Sequence, residues 1–149
     1  MNMKYLIPKF IDNDFKGKNI SLYIFYLISP ITIIRSLIHI FAPDGGAKSI
    51  ANIPLYLYSK NASDTIIHIF SEWGLSQLIM GILYLIVLLK YKSLIPLMYL
   101  FLVIEYSTRL LLTIYKPIVI EGHAPGGVAN YFLVPLLIIL FILSLKKNQ

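Results

Sequence analysis

The stretch Arg35-Ser36-Leu37-Ile38-His39-Ile40-Phe41-Ala42-Pro43-Asp44-Gly45-Gly46 closes a long apolar run that begins at Ile20. A run of roughly 20 mostly apolar residues is what a helix needs to cross a bilayer. This one carries an arginine inside it and breaks at Pro43 into a glycine turn. The chain then repeats itself, because Arg109-Leu110-Leu111-Leu112-Thr113-Ile114-Tyr115-Lys116-Pro117 aligns with Arg35 through Pro43 without a gap. Arginine, leucine, isoleucine, a ring (Phe41, Tyr115) and proline fall in register. A charge inside an apolar run is costly, so two at the same place in two runs mark where polar work is done.

Composition sets the class. The chain is 58% hydrophobic and only 13% charged, with a mean hydropathy of +0.76. A water-soluble globule carries about a quarter charged residues. With 149 residues there is room for one domain, here a single integral membrane domain over 1–149. Cysteine is absent, which excludes disulfides, thiol chemistry and cysteine zinc sites. The formal charge of +6 comes from lysines at the ends of apolar runs, not from a basic stripe between aromatics, so nucleic acid is not an expected partner.

Four runs are long enough to span: 20–41, 66–89, 94–115 and 130–145. The expected fold is therefore all-α, a polytopic four-transmembrane-helix bundle. Pro30 should kink the first run and Pro135 lies near the start of the last. Only Lys90, Tyr91, Lys92 and Ser93 join the second run to the third, which makes those two antiparallel neighbours. Lys4, Lys9, Lys16, Lys18, Lys90, Lys92, Lys146 and Lys147 fall on one side. By the positive-inside rule that side is cytoplasmic, with both termini, and the cell (inner) membrane is the expected location. The segment before Ile20 reads either as a piece lying on the membrane surface or as a solvated tail.

The connections on the opposite side echo each other: Ala42-Pro43-Asp44-Gly45-Gly46-Ala47 against Ala124-Pro125-Gly126-Gly127-Val128-Ala129. With the arginine repeat, this suggests two parallel helical-hairpin repeats related by an axis along the membrane normal. Both glycine pairs allow left-handed turns, and loops beside two arginines could cradle an anion such as a lipid headgroup. A plain chain reversal is the simpler reading of the same glycines.

The ionisable groups inside the runs are Arg35, Glu72, Glu105 and Arg109, with Gln77 deeper. Glu105 and Arg109 stack four residues apart, and Glu72 is expected to meet Arg35 or Arg109 across helices. Such a quartet is either an ionic clasp that fixes register or the lining of a site open to the outer side. His39 shares a face with Arg35 and His68 with Glu72, while His123 sits in the second glycine loop. These histidines with Glu72 are an inventory for a nitrogen/oxygen metal site, but no ligand motif such as His-Glu-x-x-His occurs, so no metal or cofactor is expected. No Gly-x-Ser-x-Gly elbow is present either. Gly74, Gln77 and Gly81 form a face suited to close helix packing, within the bundle or between subunits.

In length, four spans and lack of a soluble domain, the chain resembles the small bacterial four-helix membrane proteins of the DoxX-like type. The resemblance is one of layout and brings no site residue with it. The expected function is non-enzymatic: an outer-facing polar pocket for a small polar ligand or lipid headgroup, serving transport or an accessory role. The bilayer is the first partner, and a homo-oligomer or larger membrane complex the second. The alternative is a small membrane enzyme on a lipid-soluble substrate, with Glu72 or Glu105 as acid/base and His39 or His68 assisting.

Overall fold

The computed structural model describes residues 3–147 and is all-helical among them. Four helices carry the fold: α1 (Asn19–Phe41), α2 (Lys60–Lys90), α3 (Ile95–Tyr115) and α4 (Pro125–Ser144). Each is long and apolar enough to cross a membrane. Two of them outrun their apolar stretches. Helix α2 begins at Lys60 because Ser59 caps it, its hydroxyl accepting from the Ala62 amide at 3.4 Å; polar residues can lead a helix where water satisfies the first turn. Helix α4 begins at Pro125, a residue suited to the first helical position because its missing N–H would go unpaired there.

The buried stripe of α1 is small: Ser21, Phe25, Ser29, Ser36 and His39. Its hydroxyls are absorbed within the helix where a carbonyl is in reach, as Thr32 and Ser36 donate to the carbonyls of Ile28 and Thr32. Against this stripe lies the glycine face of α2. A Cβ at Gly74 would stand 2.7 Å from His39 Cβ, and one at Gly81 would stand 2.8 Å from Ile33 Cγ1. The face containing Gly74, Gln77 and Gly81 thus packs inside the bundle. Helices α3 and α4 form the second intimate pair.

The second and third helices are antiparallel, yet they touch sparsely, contrary to the close pairing that their short turn suggests. Long side chains fill the space between them, described below. The apolar core lies toward the other end, where Phe25, Tyr84, Ile95, Met98, Tyr99, Leu137 and their neighbours are buried.

Helices α1 and α3 run parallel and end in step. Arg35 and Arg109 each lie six residues before the last helical residue, Phe41 and Tyr115. The offset that takes Arg35 to Arg109 also takes Phe25 to Tyr99. These two rings, both fully buried, meet with centroids 5.5 Å apart. Helix α4 carries no counterpart of Trp73 or Gln77 of α2.

The echo between the connections also fails. Gly45 and Gly46 are left-handed (φ 57° and 78°), as a sharp turn after α1 demands. Gly126 and Gly127 lie in the first turn of α4 instead, and nothing stands within 4 Å of a Cβ at Gly126. Pro125 decides this, since it starts a helix where Pro43 ends one.

The segment before α1 is bonded to the bundle instead of running as a free tail, and it is helical only over Met3–Tyr5. After a single 3-10 turn (Met3–Tyr5) it runs as a strap across the end of the bundle. Asp12 and Ser93 exchange bonds, the Asp12 amide donating to Ser93 Oγ at 3.0 Å and the Ser93 hydroxyl to the Asp12 carbonyl at 2.9 Å. The Lys18 amide donates to the Leu143 carbonyl at 3.1 Å. Gly17 lies so close to α4 that a Cβ there would be 2.4 Å from the Ser144 carbonyl oxygen.

Candidate functional site

Beneath the ends of α1 and α3, on the side of the two long connections, polar side chains from three helices converge. The arginines sit about 9 Å below those ends, at ~1.5 Å per residue. Arg35 of α1 donates to Gln77 Oε1 of α2 at 3.2 Å and reaches the Tyr106 hydroxyl of α3 at 3.5 Å. Gln77 Nε2 in turn donates to Glu105 Oε1 of α3 at 2.7 Å. Arg109, one turn from Glu105 on the same helix, pairs with that same oxygen. The network therefore runs Arg35, Gln77, Glu105, Arg109 and binds α1, α2 and α3 together. Helix α4 contributes nothing to it among the described residues.

The floor between the two guanidiniums is Trp73. Arg35 Cζ lies 5.6 Å and Arg109 Cζ 4.7 Å from its ring centroid, and Arg109 is also 5.1 Å from the ring of Tyr106. The negative faces of these rings attract both cations, which lets two like charges share one place. Sequence reasoning misses Trp73 and Tyr106. Aromatics in apolar runs read as core, and only their position beside Arg109 and Gln77 on a helical wheel marks them otherwise.

Charge does not balance here as the quartet of two arginines and two glutamates suggested. Glu72 points away, exposed on α2, and pairs with His68 at 3.3 Å. The cause is azimuth: at 100° per residue Glu72 lies well round the helix from Trp73 and Gln77, although its depth is similar. Arg109 has a carboxylate, but among the described residues Arg35 has none within ion-pair distance. The cluster thus holds two guanidiniums and one carboxylate. Glu105 spends Oε1 on both of its partners, and Oε2 receives none of the hydrogen bonds among the described residues. The side chains of Arg109 and Glu105 keep 20% and 24% of their exposure, so the cluster is not sealed within the bundle.

His39 is close by but committed to structure. It is 2% exposed, 4.6 Å from the Trp73 ring and 6.0 Å from Phe70, and its Nδ1 lies 2.8 Å from the Gly45 carbonyl oxygen. A carbonyl only accepts, so Nδ1 carries the proton. The ring thereby fixes the glycine turn above it, and a Cβ at Gly46 would strike it at 2.8 Å. Asp44 completes the turn by accepting the amides of Gly46 at 2.9 Å and Ser49 at 2.6 Å. Burial alone would raise the Asp44 carboxyl, but these amide bonds outweigh it and hold the group below its ordinary value.

His123 is exposed, and its carbonyl accepts from Asn52 Nδ2 at 2.8 Å, while the Glu121 amide donates to the Asn52 carbonyl at 2.8 Å. Tyr56 donates to Glu121 as well, and that carboxylate raises the phenol's pKa. These bonds tie the two long connections into one cover. His68 meets Glu72 but neither His39 nor His123 joins them, and among the described residues no three metal-ligating side chains converge. Of the acid/base pairings named for an enzyme, His68 does stand beside Glu72, on the exposed face of α2, whereas among the described residues no histidine pairs with Glu105.

Comparison of the chain with family models, with curated proteins and with solved structures returns no match.

Proposed function

We propose that this chain is a four-span integral membrane protein that binds an anionic group, a carboxylate or phosphate, in the arginine cluster, and does so without chemical transformation. The observation that carries the reading is the charge count of the cluster: two guanidiniums share one indole and, among the described residues, Glu105 alone answers them. An arginine fork is suited to planar or tetrahedral oxyanions, and one held partly out of water binds them more strongly than one on a surface. The membrane reading is supported by the four long apolar helices and by the aliphatic and aromatic residues they expose, such as Ile31, Ile34, Ile79, Leu111, Phe132 and Ile139. With the lysine-rich end read as cytoplasmic, the cluster lies toward the outer side. Transport of the bound anion, or its capture for a partner subunit, is the role that fits.

The test is a thermal-stability titration of the protein in detergent with acetate, inorganic phosphate and a short-chain phosphatidic acid. A ligand at ~100 times its Kd stabilises by about 2.7 kcal/mol. The expected result is a saturable shift with at least one of these anions that disappears in Arg35→Gln. Retention of the full shift in that variant, or no shift with any of the three, overturns the reading.

A further inference from the structure

The strap carries an arrangement that the anion site does not use. It is pinned to the bundle at Asp12, Asn13 and Lys18, the Asn13 side chain donating to the Leu89 carbonyl at 3.2 Å. While Phe15 packs toward the core, three of its apolar side chains face outward: Ile7, Phe10 and Ile11 are 73%, 74% and 58% exposed. A flexible tail would expose such residues at random, whereas here the backbone bonds that follow them fix where they stand. Around them the same end of the bundle presents exposed Lys9, Lys16, Lys90, Lys146 and Lys147, with Lys9 5.5 Å over the Phe10 ring. The acids of the strap are Asp12 and Asp14, and Asp12 Oδ1 accepts the Asp14 amide at 3.1 Å as part of the strap's own turn. The lysines outnumber them.

We infer that this end docks on an anionic lipid surface, with Ile7, Phe10 and Ile11 entering the headgroup boundary and the lysines meeting lipid phosphates. Apolar side chains ringed by lysine are the pattern of an interfacial anchor, in which buried apolar area and attraction to anionic lipid add. The lysines also draw that surface toward the strap over a Debye length. The strap then serves as a foot that sets how deep the bundle stands in the leaflet. This inference rests on the membrane reading but not on the arginine cluster.

Because the chain lacks cysteine, a single introduced one takes a fluorophore alone. Phe10→Cys, Leu136→Cys in the middle of α4 and Val119→Cys at the opposite end are each labelled with an environment-sensitive dye. Each is placed in nanodiscs of phosphatidylcholine, with or without one part in about three of phosphatidylglycerol. The Phe10 probe is expected to shift to the blue and be quenched by headgroup-region spin-labelled lipid only when the anionic lipid is present. It should revert in 1 M salt, where the screening length is ~3 Å. Lys9→Gln with Lys16→Gln should weaken the response, by about fivefold per charge at low salt. Identical emission of the Phe10 probe in both lipids, or an equal response from Val119, overturns the inference. A Leu136 probe that no lipid quenches overturns the membrane reading as well, so the two failures are distinct. If the Phe10 variant does not assemble, amide exchange of Asp12 and Ser93 in the unmodified protein decides the matter: protection rises with anionic lipid or the inference fails.

Discussion

Replacing Glu105 with glutamine is the most informative single change, because it removes charge while keeping shape. The amide oxygen of the new side chain can still accept from Gln77 Nε2 and from Arg109, so packing is preserved. What goes is the carboxylate that, among the described residues, alone stands with the two guanidiniums that share Trp73. Removing one member of a fully buried ion pair costs about 3–5 kcal/mol. Here the two side chains retain 20% and 24% exposure, and water screens part of the field, which brings the expected cost to about 2 kcal/mol. For a domain of this size each kcal/mol is worth about 2–4 °C, so the melting temperature in detergent should fall by about 4–8 °C. Arg109→Gln added to Glu105→Gln should cost less than the two single changes summed, with a coupling of about 1–2 kcal/mol. Gln77→Leu keeps the ion pair and should cost less than Glu105→Gln, although it cuts two bonds across helices. Thermal curves of Glu105→Gln superimposable on the parent protein, or strict additivity in the double variant, would refute the account of the cluster as an underbalanced ionic core.

Tyr84 and Ser29 are buried with hydroxyls that lack a hydrogen-bond partner among the described residues; removing an unsatisfied hydroxyl is near neutral, so Tyr84→Phe should leave the melting temperature unchanged or raise it, and a fall of several degrees would show that the hydroxyl is bonded after all. The Asp44 carboxyl is depressed in the folded chain, so its contribution to the glycine turn is full above the ordinary carboxylate range and is lost as pH falls through the depressed value. Amide exchange at Gly46 and Ser49 should accelerate there, and in Asp44→Ala at neutral pH, while Val87 is unaffected; pH-independent protection at the two amides would contradict it. Cysteines at Tyr91 and Ser49, at opposite ends of the bundle, should react with an impermeant reagent from opposite sides of sealed vesicles, and reaction of both from one side would contradict a spanning bundle.

The residues show why part of this is legible in the sequence and part is not. A charge inside an apolar run announces itself, and Arg35 and Arg109 share a depth that the run boundaries alone imply, with Glu105 one turn deeper. The expectation that each arginine meets a carboxylate fails at Arg35, because depth says nothing of the angle at which Glu72 leaves its helix. That angle is in the sequence, since Glu72 precedes Trp73 by one residue and is turned from it by 100°. The strap is not. Its bonds run from backbone atoms to Ser93 and Leu143, far along the chain, and backbone groups leave no mark in a sequence. The glycine pairs mislead for a local reason: both connections carry the same dipeptide shortly after a proline, but helix context decides whether proline starts or stops.

The strap also imposes an order of events. A chain made from its first residue exposes Asp12 long before Ser93 exists and Lys18 long before Leu143. The α1–α2 pair, with its glycine contacts, can be complete while the strap has only the Leu89 carbonyl at the end of α2 to hold. Its clasp with Ser93 becomes possible when the turn after α2 emerges, and the one with Leu143 only when α4 has been made almost to its end. The earliest segment of the molecule is thus the last to be fastened, and that fastening reports that all four helices are in place.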